Sequence, residues 1–206
     1  MPKQEVPLHT LEKYIPDGCI NIVLQFLTTY KIHLTITKQR QTLLGDYRHA
    51  HQGKAHRISV NGNLNPYSFL ITFLHEVAHL LAFEKYGATI LPHGKEWKNE
   101  FSKVLATFLK DKIFPNDIEK ALTVSIKNPA ASSCGDVQLM RVLKNYDSKA
   151  EGIFTVEQLK TGTLFKIKDG RIFIKGEKVR TRYKCKEVTT HKLYLFNGLY
   201  EVMPEN

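Results

Sequence analysis

His75-Glu76-Val77-Ala78-His79 puts two imidazoles and a carboxylate within five residues. On a helix, side chains four apart share a face, one turn above the other. His75 and His79 can therefore offer two ring nitrogens to a single metal ion. Glu76 projects beside them, where it can take a proton from water held by that ion. This is equipment for zinc-assisted hydrolysis of peptide bonds. The same spacing arises by accident on solvated helix faces, but the flanks argue against accident here. Phe69 to Leu74 and Leu80 to Phe83 are largely apolar, and titratable groups amid such a run are costly unless paired or metal-bound.

The pattern predicts a helix from Ser68 to Tyr86 that carries the motif in its body. Asn65-Pro66 suits a helix start, with Asn as the cap and Pro at the first helical position, and Gly87 suits a stop. A catalytic zinc needs a third protein ligand. The spacing that would place a histidine six residues after His79 meets Lys85 instead, which excludes that arrangement. Glu96 and Glu100 of a following helix are candidates, and so is His93 in Leu91-Pro92-His93-Gly94. His93 is favoured, because a loop histidine next to glycine approaches a site more freely. The helix after it is predicted from about Lys95 to Lys110, with Trp97, Phe101, Val104, Leu105 and Phe108 at helical spacing.

His75-Glu76-x-x-His79, then His93-Gly94-x-Glu96-Trp97, resembles the SprT-like metallopeptidase domain, the group that includes Spartan DNA–protein crosslink proteases and bacterial SprT proteins. Leu44 to Arg48 and Ile58 to Asn61 look like the strands that lead into that family's active-site helix. The resemblance is strong over roughly positions 15 to 110 and weak over 150 to 202, where Arg180 to Cys185 resembles part of a C-terminal β-ribbon. It implies that His75, His79 and His93 bind one Zn2+, that Glu76 is the general base, and that proteins are the substrate, often near nucleic acid. One departure stands out. Cys19, Cys134 and Cys185 include no C-x-x-C pair, so the zinc ribbon of many members cannot form and the C-terminal module must hold by its own core.

The chain has 206 residues, 42% of them hydrophobic, and a formal net charge of +10. No apolar run is expected to span a membrane, and the N-terminus lacks a signal-like segment. Three scattered cysteines suit a reducing cytoplasm. Cys19 and Cys134 are expected as small core residues, and Cys185 as a strand residue open to exposure. The basic balance favours an anionic partner. Between Lys160 and Lys192 there are eleven cations and three anions, with Phe165, Phe173 and Tyr183 interleaved and Tyr194 and Phe196 just beyond. Arg171, Lys175, Lys178, Arg180, Arg182 and Lys184 are the expected nucleic-acid contacts, with the aromatics either stacking bases or forming a core.

Around the motif the chain reads as α+β. Helical patterns cover 7–30 with a break at Pro16, Lys31 to Lys38 alternates as a strand, and Thr42–Arg48 and Arg57–Asn61 are further strands. Between these two lie His49, His51 and His56, which read as a hairpin connection and not as a metal tract. Pro115–Ile126 and Asp136–Tyr146 read as helices. From Ile153 short strands follow, with hairpin signals at Asp169-Gly170 and Asn197-Gly198. The expected organisation is a zincin-like domain over 1–127 (helix, small sheet, motif helix), a linker with a helix over 128–152, and a basic, mainly β module over 153–206 that resembles a cysteine-less zinc ribbon. A different class of function also fits the sequence: a non-catalytic DNA- or RNA-binding or transcription-associated protein that retains a zinc site.

Overall fold

In the computed structural model, which describes residues 8–40, 42–127, 129–130, 136–148 and 151–205, the first 147 residues are built around one helix. This is α2, Pro66–Tyr86. Asn65 caps it, its side chain accepting from the Ser68 N–H at 2.9 Å, and Pro66 opens it. Gly87 closes it with φ 79°, a conformation that suits glycine. Phe69, Leu70, Phe73, Leu74, Val77 and Leu80 are fully buried. Each such side chain contributes about 1.5–3 kcal/mol through its burial. By length and composition α2 could cross a membrane, contrary to the sequence expectation, but 72% of its most apolar window lies inside the protein. Its hydrophobicity serves a core that surrounds it.

Other helices and a small sheet share its core. Helix α1, Ile20–Thr29, buries Val23 and Leu27. A three-stranded sheet has the order β1 (His33–Thr37), β3 (Arg57–Asn61), β2 (Gly45–Arg48). β1 and β3 run parallel, and β2 and β3 form an antiparallel hairpin through the histidine-containing segment. Helix α3, Lys95–Lys110, packs its Trp97, Phe101, Val104, Leu105 and Phe108 stripe inward. Helix α4, Asn116–Ser125, adds Ile118 and Leu122. The loop from Lys38 to Leu44 is pinned by Arg40, which donates to Asn61 Oδ1 at 2.8 Å and to Ser59 Oγ at 3.0 Å. Buried Asn61 answers by donating to the carbonyls of Arg40 and Leu43.

The segment expected as linker belongs in part to this first unit. The chain divides into Met1–Asp147 and Ser148–Asn206. Helix α5, Val137–Leu143, buries Leu139 and Leu143 in the first core. The Asn65 amide donates to Leu143 O at 3.0 Å and to Asp147 Oδ1 at 2.6 Å. The boundary moves from 127 to 147 because two leucines and a buried hydrogen bond tie α5 to the start of α2. Cys134 lies outside the described residues.

The second unit is a β meander with its own core. Its strands are β4 (Phe154–Thr155), β5 (Leu164–Lys166), β6 (Ile172–Ile174), β7 (Lys178–Val179), β8 (Arg182–Glu187), β9 (Leu193–Asn197) and β10 (Glu201–Pro204). Gly170, φ 92°, turns β5 into β6 as the Asp-Gly signal predicts. Asn197-Gly198 makes a turn but no hairpin: β10 passes β9 and pairs with β4 and β5, folding the meander back on its start. This is not a ribbon. Phe165, Phe173, Cys185 and Val202 are buried at its centre, with Tyr183, Tyr194 and Phe196 packed against them. Cys185, expected to be open to exposure, is thus fully buried, since it points inward on β8 between outward Lys184 and Lys186. At Gly176 the backbone crosses so close to β8 that an added Cβ would fall 2.1 Å from Lys184 O. Only glycine lets β6 give way to β7 along the same partner.

Candidate metal centre

His75 and His79 lie one turn apart on α2, and His93 reaches them from the loop before α3. Its backbone takes φ 59°, a left-handed conformation that turns the ring back toward α2. The Nε2 atoms of His75 and His93 are 3.0 Å apart, as are those of His79 and His93. All three ligand atoms fall within 4.8 Å of one another. Three nitrogens meeting at a point is a donor set for a cation. Around a four-coordinate ion with M–N bonds of about 2.0–2.1 Å, tetrahedral nitrogens stand roughly 3.3 Å apart, so the cluster fits. Among the described residues it is the one such group of His, Cys, Asp or Glu.

The other candidates are elsewhere. Glu100 is engaged by Lys103 at 3.0 Å and Lys85 at 3.4 Å. Burial raises its pKa, but hydrogen bonds and charge from these lysines outweigh that and hold it low. Glu96 lies near Gly94, outside the cluster. His49 stacks on Phe83 at 4.7 Å, His51 is exposed on the hairpin, and His56 is buried. None of them belongs to a metal-ligating group among the described residues.

The rings are held by packing. Trp97, wholly buried, lies 4.6 Å from His75, 5.4 Å from His79 and 4.7 Å from His93, ring centre to ring centre. Its indole N–H donates to His75 O at 3.4 Å. Phe101 adds an edge against His75 at 5.5 Å. His75 Nδ1 is buried without a hydrogen-bond partner, so on that side the ring is held by packing. Trp97 is the site residue that helical spacing conceals. Its place in the α3 stripe reads as core, and only the meeting of α2 and α3 makes it the floor under three imidazoles.

Burial sets the charge states. It pushes His75 down to about 3, with the neighbouring His79 and His93 adding to the effect. His79 is pushed to about 4 by burial and His93, and His93 is lowered by burial. At neutral pH all three are neutral, the form that binds metal. Glu76 goes the other way. Burial and the charge of Asp46 raise its carboxyl to about 8, while Arg40 pulls it down. A cation at the cluster would favour the ionised carboxylate and lower that value.

Glu76 faces β2 at Gly45. A Cβ there would meet Glu76 Oε1 at 2.6 Å and Thr72 Cγ2 at 2.8 Å, so a missing side chain makes the space in which the carboxylate sits. Among the tyrosines near α2, Tyr67 packs on Phe114 and Tyr146 at the start of the helix, and Tyr86 ends the helix under Lys85. Tyr47, two residues after Gly45, stands beside His79, with ring planes 2° apart and centres 6.4 Å apart.

The SprT-like family model matches residues 18–121, a span that runs from just before α1 into α4 and holds all three histidines and Glu76. No curated protein and no solved structure matches the chain.

Proposed function

The chain belongs to the SprT-like family, and from that premise we propose that it is a zinc-dependent metallopeptidase that cleaves proteins. The observation that carries this reading is the convergence of His75, His79 and His93 Nε2 beside a buried Glu76. Zinc bound by those nitrogens would supply Lewis-acid polarisation of a carbonyl and acidify water next to it. Glu76 takes the proton of the attacking water on its carboxylate and returns it to the leaving amine. A purely structural zinc site has no need of such a base. An extended substrate segment finds a partner in β2, whose outer edge has no strand among the described residues.

The test is elemental analysis of zinc, paired with hydrolysis of an unfolded protein. The wild type should carry about one zinc per chain. His93→Ala should lose it. Glu76→Ala should keep the zinc and lose turnover by roughly 100-fold or more. A Glu76→Ala variant with wild-type turnover would remove the base from this scheme.

Nucleic-acid binding through the second unit is part of the same proposal, on a revised set of residues. Lys175 is buried, donating to the carbonyls of Glu157 and Leu159 beneath the Tyr183 ring. Arg171 is paired with Asp169 at 2.8 Å. Lys175 is thereby withdrawn from solvent, and Arg171 already has a carboxylate partner. Lys178, Arg180, Arg182 and Lys184 are exposed, and Lys186 joins Arg182 and Lys184 on the outward face of β8. None of these five is in an ion pair with a described residue. On that face Lys184 and Lys186 lie opposite aliphatic Leu195 and Leu193, and Arg182 lies opposite Asn197, while Tyr183, Tyr194 and Phe196 pack on the core. This supports phosphate contacts without base stacking: binding that ignores sequence and weakens with salt.

A further inference from the structure

The site's outer wall is a chain of three side chains that no ligand set accounts for. His56 Nδ1 accepts from the Ala50 N–H at 3.2 Å, so this nitrogen carries no proton. The proton of neutral His56 is therefore on Nε2, which faces Glu84 Oε1 at 3.3 Å. With Nδ1 an acceptor, the Tyr47 hydroxyl 2.9 Å away must be a donor to it. The Tyr47 ring lies nearly parallel to both its neighbours, His56 (15°, 5.9 Å) and His79 (2°, 6.4 Å). His79 has Trp97 as its other aromatic neighbour. Glu84 is on α2 itself, just over one turn beyond His79, so the chain leaves the helix through His79, passes Tyr47 on β2 and His56 just before β3, and returns to the same helix.

We propose that Tyr47, His56 and Glu84 are positioning residues that fix the ring plane of His79, so that its Nε2 faces those of His75 and His93. The inference rests on the three-histidine metal site. It gives the Tyr47 hydroxyl a fixed duty as a tether to His56, which leaves it no proton to offer a reacting carbonyl. A tyrosine close to the cluster is thus a structural anchor and not a stabiliser of the tetrahedral intermediate. His56 serves as the coupling between a surface carboxylate and a half-buried phenol, which explains why a histidine in an exposed hairpin connection turns inward.

The experiment measures zinc affinity by competition with a chromophoric chelator, and the visible absorption of the Co2+ form, which reports ligand geometry. Tyr47→Leu removes stack and tether together and should weaken zinc binding by about 10- to 100-fold, the range for outer residues that orient a ligand. Tyr47→Phe keeps the stack and Glu84→Ala keeps both rings, so each should fall between wild type and Tyr47→Leu. All three should alter the Co2+ spectrum. The thermal midpoint of the metal-free protein should stay unchanged in Glu84→Ala, whose side chain is half exposed. If Tyr47→Leu does not fold, the two milder variants decide. Variants that bind zinc within about two-fold of wild type, with an unchanged Co2+ spectrum, overturn this inference alone. A wild type that binds no metal overturns it together with the three-histidine site.

Discussion

Burying Glu76 on the same helix as two of three clustered imidazoles makes the metal-free site sensitive to pH from both sides. Glu76 titrates near 8 when folded against 4.5 when free. Its contribution is full below 4.5 and is lost as pH rises through 8, because the fold resists its ionisation. The histidines are lowered from 6.5. Their contribution is full above 6.5 and is lost as pH falls, because unfolding lets them take up protons. Below 6.5 several histidines outweigh one glutamate; above it Glu76 acts alone. The denaturation midpoint of the metal-free protein is therefore expected to peak near pH 6.5, as read by urea titrations across pH. Glu76→Gln should level the decline between 6.5 and 8, and saturating zinc should abolish it. At the same scale, Gly45→Ala should drive a methyl into the Glu76 carboxylate. Turnover should drop by about ten-fold or more, since small misplacements of catalytic groups are costly, while zinc content stays near one.

At the scale of elements, the position of α2 depends on its first turn. Asn65 caps the helix with its oxygen and holds the end of α5 with its amide nitrogen. Asn65→Ala should cost about 1–2 kcal/mol for the cap and more for the Leu143 carbonyl left buried. Asn65→Asp keeps the cap acceptor and removes the donor, so urea denaturation of the two variants separates the roles. How far such things were legible differs by element. His75, His79 and Glu76 were readable because a helix converts spacing directly into proximity, and His93 because few residues near the motif can approach it. The element bounds of α2 and α3 followed from Asn65-Pro66, Gly87 and an unbroken apolar stripe. The contacts that Tyr47, His56 and Trp97 make at the site were not readable, because β2, the segment before β3 and α3 bring them together only through tertiary packing. The aromatics of the second unit are ambiguous in sequence for the same reason. A two-residue period says which residues share a face, and not whether that face is core or solvent.

For the whole molecule, the expected separation falls at Asp147 and not near 127. A chain ending at Asp147 should fold and bind zinc, whereas one ending at 127 should lose the packing of Leu139 and Leu143. Deleting two such leucine contacts should destabilise it by several kcal/mol, on the order of 2–5 for each buried leucine. Circular dichroism melts of the two truncations would compare them. Charge reversal at Arg182, Lys184 and Lys186 should weaken single-stranded DNA binding and flatten its salt dependence, by a slope of roughly one for each phosphate contact removed, and leave zinc content alone. Fluorescence anisotropy across salt concentrations reads both. Binding unaffected by the three reversals would place any nucleic-acid contact off this face.

His75 and His79 ride on a helix sealed in the core, whereas His93 stands on the connection between α2 and α3 in a backbone conformation that non-glycine residues seldom adopt. The two kinds of anchorage differ in kinetics. A metal ion held this way would escape by one route first, with His93 swinging out on its loop while the helical pair keeps its grip. Residence time would then be governed by the stiffness of the six residues between Gly87 and Gly94 more than by the stability of the fold, and a protein far from unfolding could still exchange its ion on the clock of a single loop.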